Sequence, residues 1–403
     1  MVTPPNPAPA PMALEGLRVI DLTQVMAGPF CSMLLADMGA EVIKVEPLEG
    51  EPTRHERQLA PGVSGSFLAV NRSKRGMAVD LKAKEGAAIL RRLAAGADVL
   101  VENYRPGAAR RLGLDYESLR AVNPRLIHCS ISGFGQTGPY AQRGGFDLIA
   151  QGMSGIMSAT GNEGGPPVKV GVPVTDLGAG LFAVFGILCA LRARRLTGRG
   201  QQVDTSLFEA GLALSAWEAT EYWYTGDLPR PLGTAHRLNA PYQAFRASDG
   251  HFTVGAANNK LWAQFAALLG LKPLLADPRF AKPAERLANR AALEKLIEEV
   301  TVTRPRAHWL AQLEAAGIPA GPIYSIPEAL ADPQAEARGM TQQYDYPGAG
   351  RVKALGNPVK LSRTPARPAA PPPALGQDNA AILAELGYSA QEIRQLKSSR
   401  VIA

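Results

Sequence analysis

Short apolar runs alternate with helical patterns through the first half of the chain. Six runs have the continuous apolar and β-branched character of buried strands: LRVIDL (17–22), EVIKVE (41–46), MAVDL (77–81), DVLVEN (98–103), LIHCSISG (126–133) and QVDTS (202–206). Helical segments such as CSMLLADMG (31–39) and KEGAAILRRLAAG (84–96) lie between them. Strands that alternate with helices build an open, mostly parallel sheet. The pattern therefore predicts an α/β fold, in which ligands bind at the carboxyl ends of the strands.

The pattern changes after about Tyr224, where turn-rich and Pro-rich sequence replaces the regular alternation. A charged, helical stretch follows and indicates a smaller α+β domain. A second Pro-rich stretch, RTPARPAAPPPALG (363–376), predicts an extended connector before an amphipathic C-terminal helix that docks back on the large domain. We divide the chain into a disordered lead-in (1–13), the first part of the large domain (14–225), a small domain with its linker (226–335), and a return linker with the rest of the large domain (336–403).

Charge and cysteine usage narrow the class of protein. Lys and Arg number 43 against 36 Asp and Glu, and the excess is scattered without aromatic interleaving, so we expect no nucleic-acid partner. A dispersed positive balance suits a small polyanionic ligand. The three cysteines, Cys31, Cys129 and Cys189, lie far apart in apolar stretches and are expected to be buried thiols of a reducing compartment.

Three further observations concern metal, membrane and location. The five histidines have no ligand-like spacing, and we expect no metal site. MVTPPNPAPAPMA lacks the apolar core of a signal peptide. The longest apolar run, LFAVFGILCAL (181–191), is too short to span a bilayer. A cytoplasmic protein without membrane partners is expected.

Asp176 is the strongest candidate for chemistry. It begins a long apolar helix and is bracketed by Gly171, Gly178 and Gly180, which let a backbone or ligand approach closely. The helix dipole favours the ionised carboxylate there, and an ionised acid needs no general base to act as a nucleophile. The alternative is that Thr175 or Asp176 caps the helix.

Two other stretches have features of nucleotide-binding sequences. GFGQTG (133–138) matches a glycine-rich dinucleotide pattern, but Pro139, Gly144 and Gly145 interrupt the helix that such a loop must open. A Rossmann-like fold without that cofactor is the better interpretation. Asn103 and Tyr104 follow a predicted strand and can hold a heterocycle or its phosphate tail. Neighbouring cations in NRSKRG (71–76) and VENYRPGAARRLG (101–113) also suit ordinary solvated surface.

The segments together resemble family III CoA-transferases, the group that includes formyl-CoA, crotonobetainyl-CoA and bile-acid-inducible transferases. The resemblance spans almost the whole chain and rests on GLRVIDLTQVMAGPFCSMLLADMGAEVIKVE, NRSKRGMAVDLK, DVLVENYRPG, SISGFGQTGPY, GGFDLIAQGMSG, PVTDLGAG, TGRGQQVDTSLFEA and LGQDNAAILAELGY. GTAHRLNAPYQAF (233–245) looks most like members that use succinyl-CoA, glutaryl-CoA or related dicarboxylate thioesters. The resemblance implies an interlocked homodimer of Rossmann-like large domains with smaller middle domains.

The resemblance also implies a set of site residues. Asp176 is the expected nucleophile. Apart from the resemblance, Gln24 or Gln151 is a candidate to orient the acceptor, and ordinary polar packing is the preferred interpretation of Gln151. The expected CoA-binding residues are Val25, Met26, Arg54, Lys74, Arg75, Asn103, Tyr104, Arg105, Arg111, Arg143 and Phe146. A family arginine after the second strand is replaced by Pro47 here, and Arg54 is expected to substitute for it. No tightly bound cofactor is expected, since CoA thioesters and carboxylic acids are the substrates.

Phe146 separates transferase from racemase chemistry. Related 2-methylacyl-CoA racemases carry a histidine immediately before the acid equivalent to Asp147, because inverting a carbon next to a thioester needs a second proton carrier. Phenylalanine cannot move a proton. We therefore expect reversible CoA transfer through aspartyl anhydride and aspartyl-CoA thioester intermediates. The alternatives are a racemase and a CoA-binding protein without catalysis, in which Asp176 is only a cap.

Overall fold

The computed structural model describes residues 11–60 and 63–403. The predicted lead-in therefore lies largely outside the described residues. The described strands are β1 (Arg18–Asp21), β2 (Glu41–Glu46), β3 (Gln58–Ala60), β4 (Val63–Ser64), β5 (Arg75–Ala78), β6 (Val99–Glu102), β7 (Ile127–Ser132), β8 (Gln202–Ser206), β9 (Tyr242–Ala247), β10 (Gly250–Gly255), β11 (Ala320–Pro322), β12 (Thr341–Tyr346) and β13 (Gly350–Leu355).

Helices cover much of the remaining described chain. They are α1 (Ala27–Asp37), α2 (Gly65–Asn71), α3 (Lys84–Ala95), α4 (Ala108–Arg111), α5 (Tyr116–Arg120), α6 (Asp147–Met153), α7 (Ile156–Ala159), α8 (Val174–Thr197), α9 (Leu207–Leu214), α10 (Ala216–Thr225), α11 (Asn259–Leu268), α12 (Pro283–Ala288), α13 (Arg290–Thr301), α14 (Arg306–Ala315), α15 (Ile326–Ala331), α16 (Pro333–Ala337), α17 (Asn379–Glu385) and α18 (Ala390–Ser398). Short 3₁₀ helices span Pro52–His55 and Lys272–Leu275.

The main sheet has six strands in the order β5, β2, β1, β6, β7, β8. Each neighbouring pair runs parallel. The predicted α/β fold with an open parallel sheet is therefore confirmed. From β1 the chain builds outward to β2 and β5, then returns to place β6 on the other side of β1. This reversal makes the β1–β6 boundary the topological switch point, where ligands of such sheets bind beyond the carboxyl ends of the strands.

Both faces of this sheet are buried. One face, including Ile20, packs against α3 and also against Leu383 and Leu396 of the C-terminal helices α17 and α18. The other face, including Val19, packs against α1 and α8. The C-terminal segment forms two helices, with Gly387 in the left-handed region between them at φ 84°. The continuous apolar character of the strands follows from burial on both faces.

Contacts within the chain divide it into two compact units. The first comprises residues 1–156, 169–225 and 333–403, and the second comprises residues 157–168 and 226–332. The second unit has an antiparallel sheet in the order β11, β10, β9, with Phe245, Phe252 and Trp262 in its own core. The assignment of residues 157–168 differs from the sequence prediction. Gly233 N donates to Gly161 O across 2.8 Å, which joins that segment to the second unit.

Three sequence expectations need correction. The sequence after QVDTS (202–206) predicts one long helix that runs to about Tyr224, but this helix is divided at Ser215 into α9 and α10. Cys31 and Cys129 are buried as expected, but Cys189 is exposed because it lies on the outward face of α8. Helix α8 has 24 residues and is long and apolar enough to cross a membrane by length and composition. The apolar run at 181–191 is only part of it, so the expectation that this segment is too short to span a bilayer is wrong.

The composition of α8 has an explanation within the fold. Its Ala183, Ile187 and Ala190 face is buried in the core beside the sheet. A core helix passes the same test of length and composition, and the absence of a membrane partner stays a prediction.

Candidate active site

A cavity of about 340 Å³ lies in the first unit at the switch point of the sheet. The loop after β1 and the loop after β6 form one side of it. Its lining residues are Gln24, Val25, Met26, Ala27, Asn103, Tyr104, Arg105, Pro106, Ile131, Ser132, Gly133, Arg143, Gly144, Gly145, Phe146, Asp176 and Leu207. Nine of the thirteen residues expected from the sequence are in this set.

Asp176 lies in the first turn of α8 and lines the cavity. The residue at the N-cap position is Pro173, and no side chain caps the helix. The hydroxyl of Thr175 is engaged by Asp147, 2.7 Å away. The capping interpretation of Thr175 or Asp176 is therefore wrong, and the Asp176 carboxylate is available to a ligand.

Small residues bring α8 against the start of α1. A Cβ added to Gly180 would lie 2.7 Å from the carbonyl oxygen of Ala27, so only glycine allows this approach. On another face, a Cβ on Gly178 would meet Leu214 of α9 at 3.1 Å. Asp176 lies about one turn before Gly180, and it lines the cavity together with Ala27, the first residue of α1.

The environment of Asp176 opposes its ionisation. Burial, with a smaller contribution from the charge of Asp147, raises the pKa of Asp176 from 3.8 to about 7. The helix dipole favours the anion by only about 0.3 to 1 kcal/mol, which is less than this desolvation. Near neutral pH both the neutral and the ionised forms of Asp176 are therefore populated, an effect of burial that the sequence alone does not show. The anion that does form is more basic than an exposed aspartate.

Asp147 fixes the residue next to Asp176. One oxygen of its carboxylate accepts hydrogen bonds from Thr175 N at 3.0 Å and Thr175 Oγ1 at 2.7 Å. The other oxygen accepts from Gln151 Nε2 at 2.7 Å. Gln151 is fully buried and in turn accepts from Val170 N at 2.9 Å, so it serves as polar packing.

Phe146 precedes Asp147 and lines the cavity with 72% of its surface exposed. An apolar ring therefore stands where a racemase would need its second proton carrier. Among the cavity-lining residues there is no histidine.

Asn103 locks the loop that carries Gln24. Asn103 Oδ1 accepts from Gln24 N at 2.9 Å, and Asn103 Nδ2 donates to Gln24 O at 2.8 Å. Both backbone groups of Gln24 are thereby satisfied across the gap between β1 and β6. The Gln24 side chain is left for the cavity, which Gln24 lines.

Two cations belong to the cavity wall. Arg105 follows Tyr104 in the loop after β6, and Arg143 lies on the opposite loop. The Arg143 guanidinium stacks 4.5 Å from the ring centroid of Tyr140, and no acidic side chain among the described residues forms an ion pair with it. Guanidinium groups in such a setting suit the phosphates of a nucleotide-like ligand.

Four predicted CoA-binding residues do not line the cavity. Lys74 is buried, and its ammonium donates to Asp21, Pro29 and Asn71 at 2.8–3.0 Å. Its three donors are thus used inside the protein. The sequence interpretation of this lysine as a surface or ligand-binding cation is not supported.

The other three are arginines. Arg75 pairs with Glu41 and with Glu385 at 2.7 Å. Arg54 makes two 2.7 Å bonds to Glu46, with its guanidinium 3.6 Å from the ring centroid of Phe67. Arg111 lies exposed at the end of α4. The proposed substitution by Arg54 therefore competes with an ion pair already formed.

The glycine-rich segment at 133–138 has a different role from nucleotide recognition. A Cβ on Gly133 would lie 2.7 Å from Cα of Gly145, so two backbone segments cross there at the cavity wall. No helix opens at this segment, since α6 begins only at Asp147. The sequence analysis noted these glycines but missed their role in the wall. It also missed Ile131, Ser132 and Leu207, which carry no chemical signal of their own.

Within residues 11–60 and 63–403, no group of three or more His, Cys, Asp or Glu side chains has the geometry of a metal site.

Comparison with known proteins defines the class. The sequence model of CoA-transferase family III matches residues 14–379. The chain is 41% identical over 392 residues to the succinyl-CoA:glutarate CoA-transferase of Mus musculus, covering 96% of this chain and 90% of that protein. It is 40% identical over 394 residues to the succinate–glutarate CoA-transferase of Agrobacterium fabrum, covering 96% and 98%. A crystal structure of a CaiB/BaiF family protein from Brucella suis matches with a TM-score of 0.84 at 42% identity, covering 94% of this chain and all of that one.

An open parallel sheet with a carboxylate in its switch-point cavity defines an α/β enzyme that binds its ligand beyond the strand ends. The chain belongs to CoA-transferase family III. The family indicated by the sequence motifs is thereby confirmed, and the protein is a CoA-transferase that uses CoA thioesters as substrates.

Proposed function

We propose that this enzyme reversibly transfers CoA from succinyl-CoA, or another short or dicarboxylic acyl-CoA, to a free carboxylic acid, with Asp176 as covalent nucleophile. The observation that carries this proposal is the state of Asp176. It lines the cavity, no group of the described residues donates a hydrogen bond to its carboxylate, and its pKa is raised to about 7. A desolvated carboxylate of raised basicity is activated for attack without a general base.

The reaction proceeds through four acyl transfers. Ionised Asp176 attacks the thioester carbonyl and expels CoA thiolate, which leaves a mixed anhydride between the aspartate and the donor acid. CoA thiolate attacks the aspartyl carbonyl of that anhydride, which releases the donor acid and forms an aspartyl-CoA thioester. The acceptor carboxylate displaces CoA to form a second anhydride. CoA thiolate then attacks its acceptor carbonyl, which releases the new acyl-CoA and regenerates Asp176.

The cavity wall supplies the remaining functions. Gln24 orients the acyl or carboxylate oxygen near Asp176, because its backbone is fixed by Asn103. Arg105 and Arg143 are placed to meet the phosphates of CoA, with Asn103 and Tyr104 alongside. This assignment gives a role to six of the nine predicted site residues that line the cavity.

Two relatives named as succinate–glutarate transferases support a dicarboxylate donor and acceptor. Succinyl-CoA and glutarate are therefore the pair to test first. Other carboxylic acids remain as acceptors to be compared in the same assay.

A homodimer is part of the proposal. Several large apolar side chains of the first unit stand exposed on α8 and α10: Leu181, Phe185, Trp217 and Trp223. Exposed apolar surface of this extent marks an interaction surface, and a second copy of the chain is the expected cover. Sedimentation velocity of the purified protein should show a dimer near 85 kDa, about twice the 42.7 kDa chain mass.

The test is a transfer assay read by mass spectrometry of acyl-CoA. Wild-type protein with succinyl-CoA and glutarate should produce glutaryl-CoA, and Asp176→Asn should lower the rate by at least 10³-fold, because an amide cannot form the anhydride. Asp345→Asn is the matched control, since Asp345 carries an 84% exposed side chain outside the cavity lining. A transfer rate that survives Asp176→Asn would contradict the covalent role.

A separate incubation with 2-methylacyl-CoA distinguishes a transferase from the racemase alternative. In deuterium oxide, a transferase leaves the α-hydrogen of 2-methylacyl-CoA in place, whereas a racemase exchanges it.

A further inference from the structure

Three consecutive residues at the edge of the cavity are held by side chains through nearly every backbone polar group. The segment Thr23–Val25 joins β1 to α1. Three of its amides donate: Thr23 N to Asp21 Oδ1 at 2.9 Å, Gln24 N to Asn103 Oδ1 at 2.9 Å, and Val25 N to Glu51 Oε2 at 2.8 Å. Two of its carbonyl oxygens accept: Thr23 O from Lys44 Nζ at 2.9 Å, and Gln24 O from Asn103 Nδ2 at 2.8 Å. Ordinary loops leave such groups to water.

The last residue of this segment is also strained. Val25 has φ 69°, in the left-handed region that β-branched residues rarely adopt. A conformation of this kind persists only where the surroundings over-determine it, and it concentrates at functional sites. The five hydrogen bonds supply that over-determination.

Lys44 and Glu51 both hydrogen-bond to the backbone of the segment, and they form an ion pair with each other. Lys44 Nζ lies 3.4 Å from Glu51 Oε1, and both side chains are fully buried. Lys44 holds the residue before Gln24, and Glu51 holds the residue after it. Glu51 is itself fixed by Thr53 Oγ1 at 3.0 Å and Asn71 Nδ2 at 3.2 Å.

Burial of two opposite charges gives little net stability compared with an apolar pair of the same size. A role in stability therefore does not explain why the pair straddles Gln24. Its contacts are directed at the backbone on either side of one cavity residue, and both partners are rigidly held.

We propose that Lys44 and Glu51 are positioning residues that fix the Gln24 side chain against the acyl group. Together with Asn103 they hold the backbone of Thr23–Val25, and we call these three residues the clamp. The inference rests on the proposed function, in which Gln24 orients an oxygen near Asp176. Displacement of an orienting group by about 1 Å costs about 10²-fold in rate. The clamp thus contributes to the chemical step through Gln24, and it contributes little to CoA binding.

The test is a double-mutant cycle. Lys44→Met with Glu51→Met replaces the pair by two apolar side chains of similar length, so that neither charge is left unpaired in the core. In this variant kcat should fall at least tenfold, while KM for succinyl-CoA changes less than threefold. In a Gln24→Ala background the same replacement should cause no further loss, because residues that act through one another are not additive.

A second buried pair provides the matched control. Arg72 and Asp37 are 2.6 Å apart and nearly inaccessible, and neither lines the cavity. Arg72→Met with Asp37→Leu should leave kcat within twofold below the melting temperature. If the loss from the Lys44 and Glu51 replacement multiplies with that of Gln24→Ala, or if kcat is retained, the positioning role is overturned.

A second variant and a measurement independent of catalysis test the proposal even if the double replacement does not fold. Should the double replacement not fold, Lys44→Met alone, which removes the donor to Thr23 O but leaves the hydrogen bonds to Glu51, is taken through the same cycle with the same criterion. Amide hydrogen exchange at Val25 reads the clamp without catalysis and should be at least 100-fold faster in the clamp variant than in wild type. Unchanged exchange overturns the clamp itself. If the wild-type enzyme does not transfer CoA but its Val25 amide still exchanges slowly, the proposed function is contradicted while the clamp is not.

Discussion

Asp147 binds the backbone amide and the hydroxyl of Thr175 with the same carboxylate oxygen, at 3.0 and 2.7 Å. The second carboxylate of the pair, Asp176, is the next residue along α8. Asp147 therefore has two effects on Asp176: it fixes the first turn of the helix, and its charge raises the pKa of the neighbouring acid.

Asp147→Asn separates these two effects. The amide oxygen still accepts from Thr175, but the negative charge is gone, so the pKa of Asp176 should fall below its wild-type value of about 7. The midpoint of kcat/KM against pH should move to lower pH, with a modest loss of the plateau rate. An unchanged midpoint would show that Asp147 does not act on Asp176 electrostatically.

The wild-type pH profile follows from the same group. Asp176 must be ionised to attack, and burial raises its pKa to about 7. We expect kcat/KM to rise tenfold per pH unit below pH 7 and to level above it. Initial rates with succinyl-CoA between pH 5.5 and 8.5 test this expectation, and a flat profile contradicts it.

Glu102 is the control for that profile. Burial raises the pKa of Glu102 to about 7 as well, and its carboxylate accepts from Tyr104 N at 2.7 Å. In Glu102→Gln the midpoint should remain near 7 if Asp176 is the group observed. Loss of the midpoint in this variant would assign the titration to Glu102.

Stability should respond to Asp176 in the direction opposite to activity. Its pKa is raised in the folded state, so its cost to stability is absent below the unfolded value near 4, grows between about pH 4 and pH 7, and is fully present above about pH 7. Asp176→Asn should therefore melt at higher temperature than wild type at pH 8, by a margin worth about 1 to 3 kcal/mol. The margin should shrink towards pH 4.

Thermal melts at pH 4.5, 6 and 8 measure this margin, with Asp345→Asn as the exposed control. Equal melting temperatures of wild type and Asp176→Asn at all three pH values would show that Asp176 is not desolvated.

Gly180→Ala tests the contact between α1 and α8. The new methyl group would lie 2.7 Å from the carbonyl oxygen of Ala27, so the helices must separate and Asp176 must move with them. We expect a loss of about 1 to 3 kcal/mol of stability, as for other overpacked sites. The transfer rate at a temperature where the variant is folded should also fall at least tenfold.

Gly171→Ala is the matched control because no atom lies within 4 Å of the added methyl group. Chemical denaturation and transfer assays of both variants decide the point. If Gly180→Ala behaves like Gly171→Ala, the close helix contact does not position Asp176.

Much of the fold was predictable because its signals are local. Strands β2 and β8 have the bounds that the apolar pattern predicts, and the order of strands and helices is sufficient for a parallel sheet. The break at Ser215 was not predictable, since the helical pattern continues across it and the interruption is set by packing. Residues 157–168 belong with the second unit for a similar reason, a long-range backbone contact with no sequence signal.

The site divides in the same way. Asp176, Gln24 and Asn103 were found because their position at strand and helix ends marks them, and the family resemblance supported that choice. Lys74 and Arg54 do not line the cavity, and the sequence did not show that each pairs with a buried acid: Asp21 lies 53 residues from Lys74, and Glu46 lies eight residues from Arg54. The pKa of Asp176 also needed the structure, since burial decides it.

The central claim is covalent transfer through Asp176. The most direct measurement is intact-mass spectrometry of the protein incubated with succinyl-CoA, followed by hydroxylamine or borohydride trapping and peptide mapping. The account predicts one modification, confined to the peptide that contains Asp176 and absent from Asp176→Asn. Transfer of CoA to glutarate by a chain that carries no modification at Asp176 would contradict it.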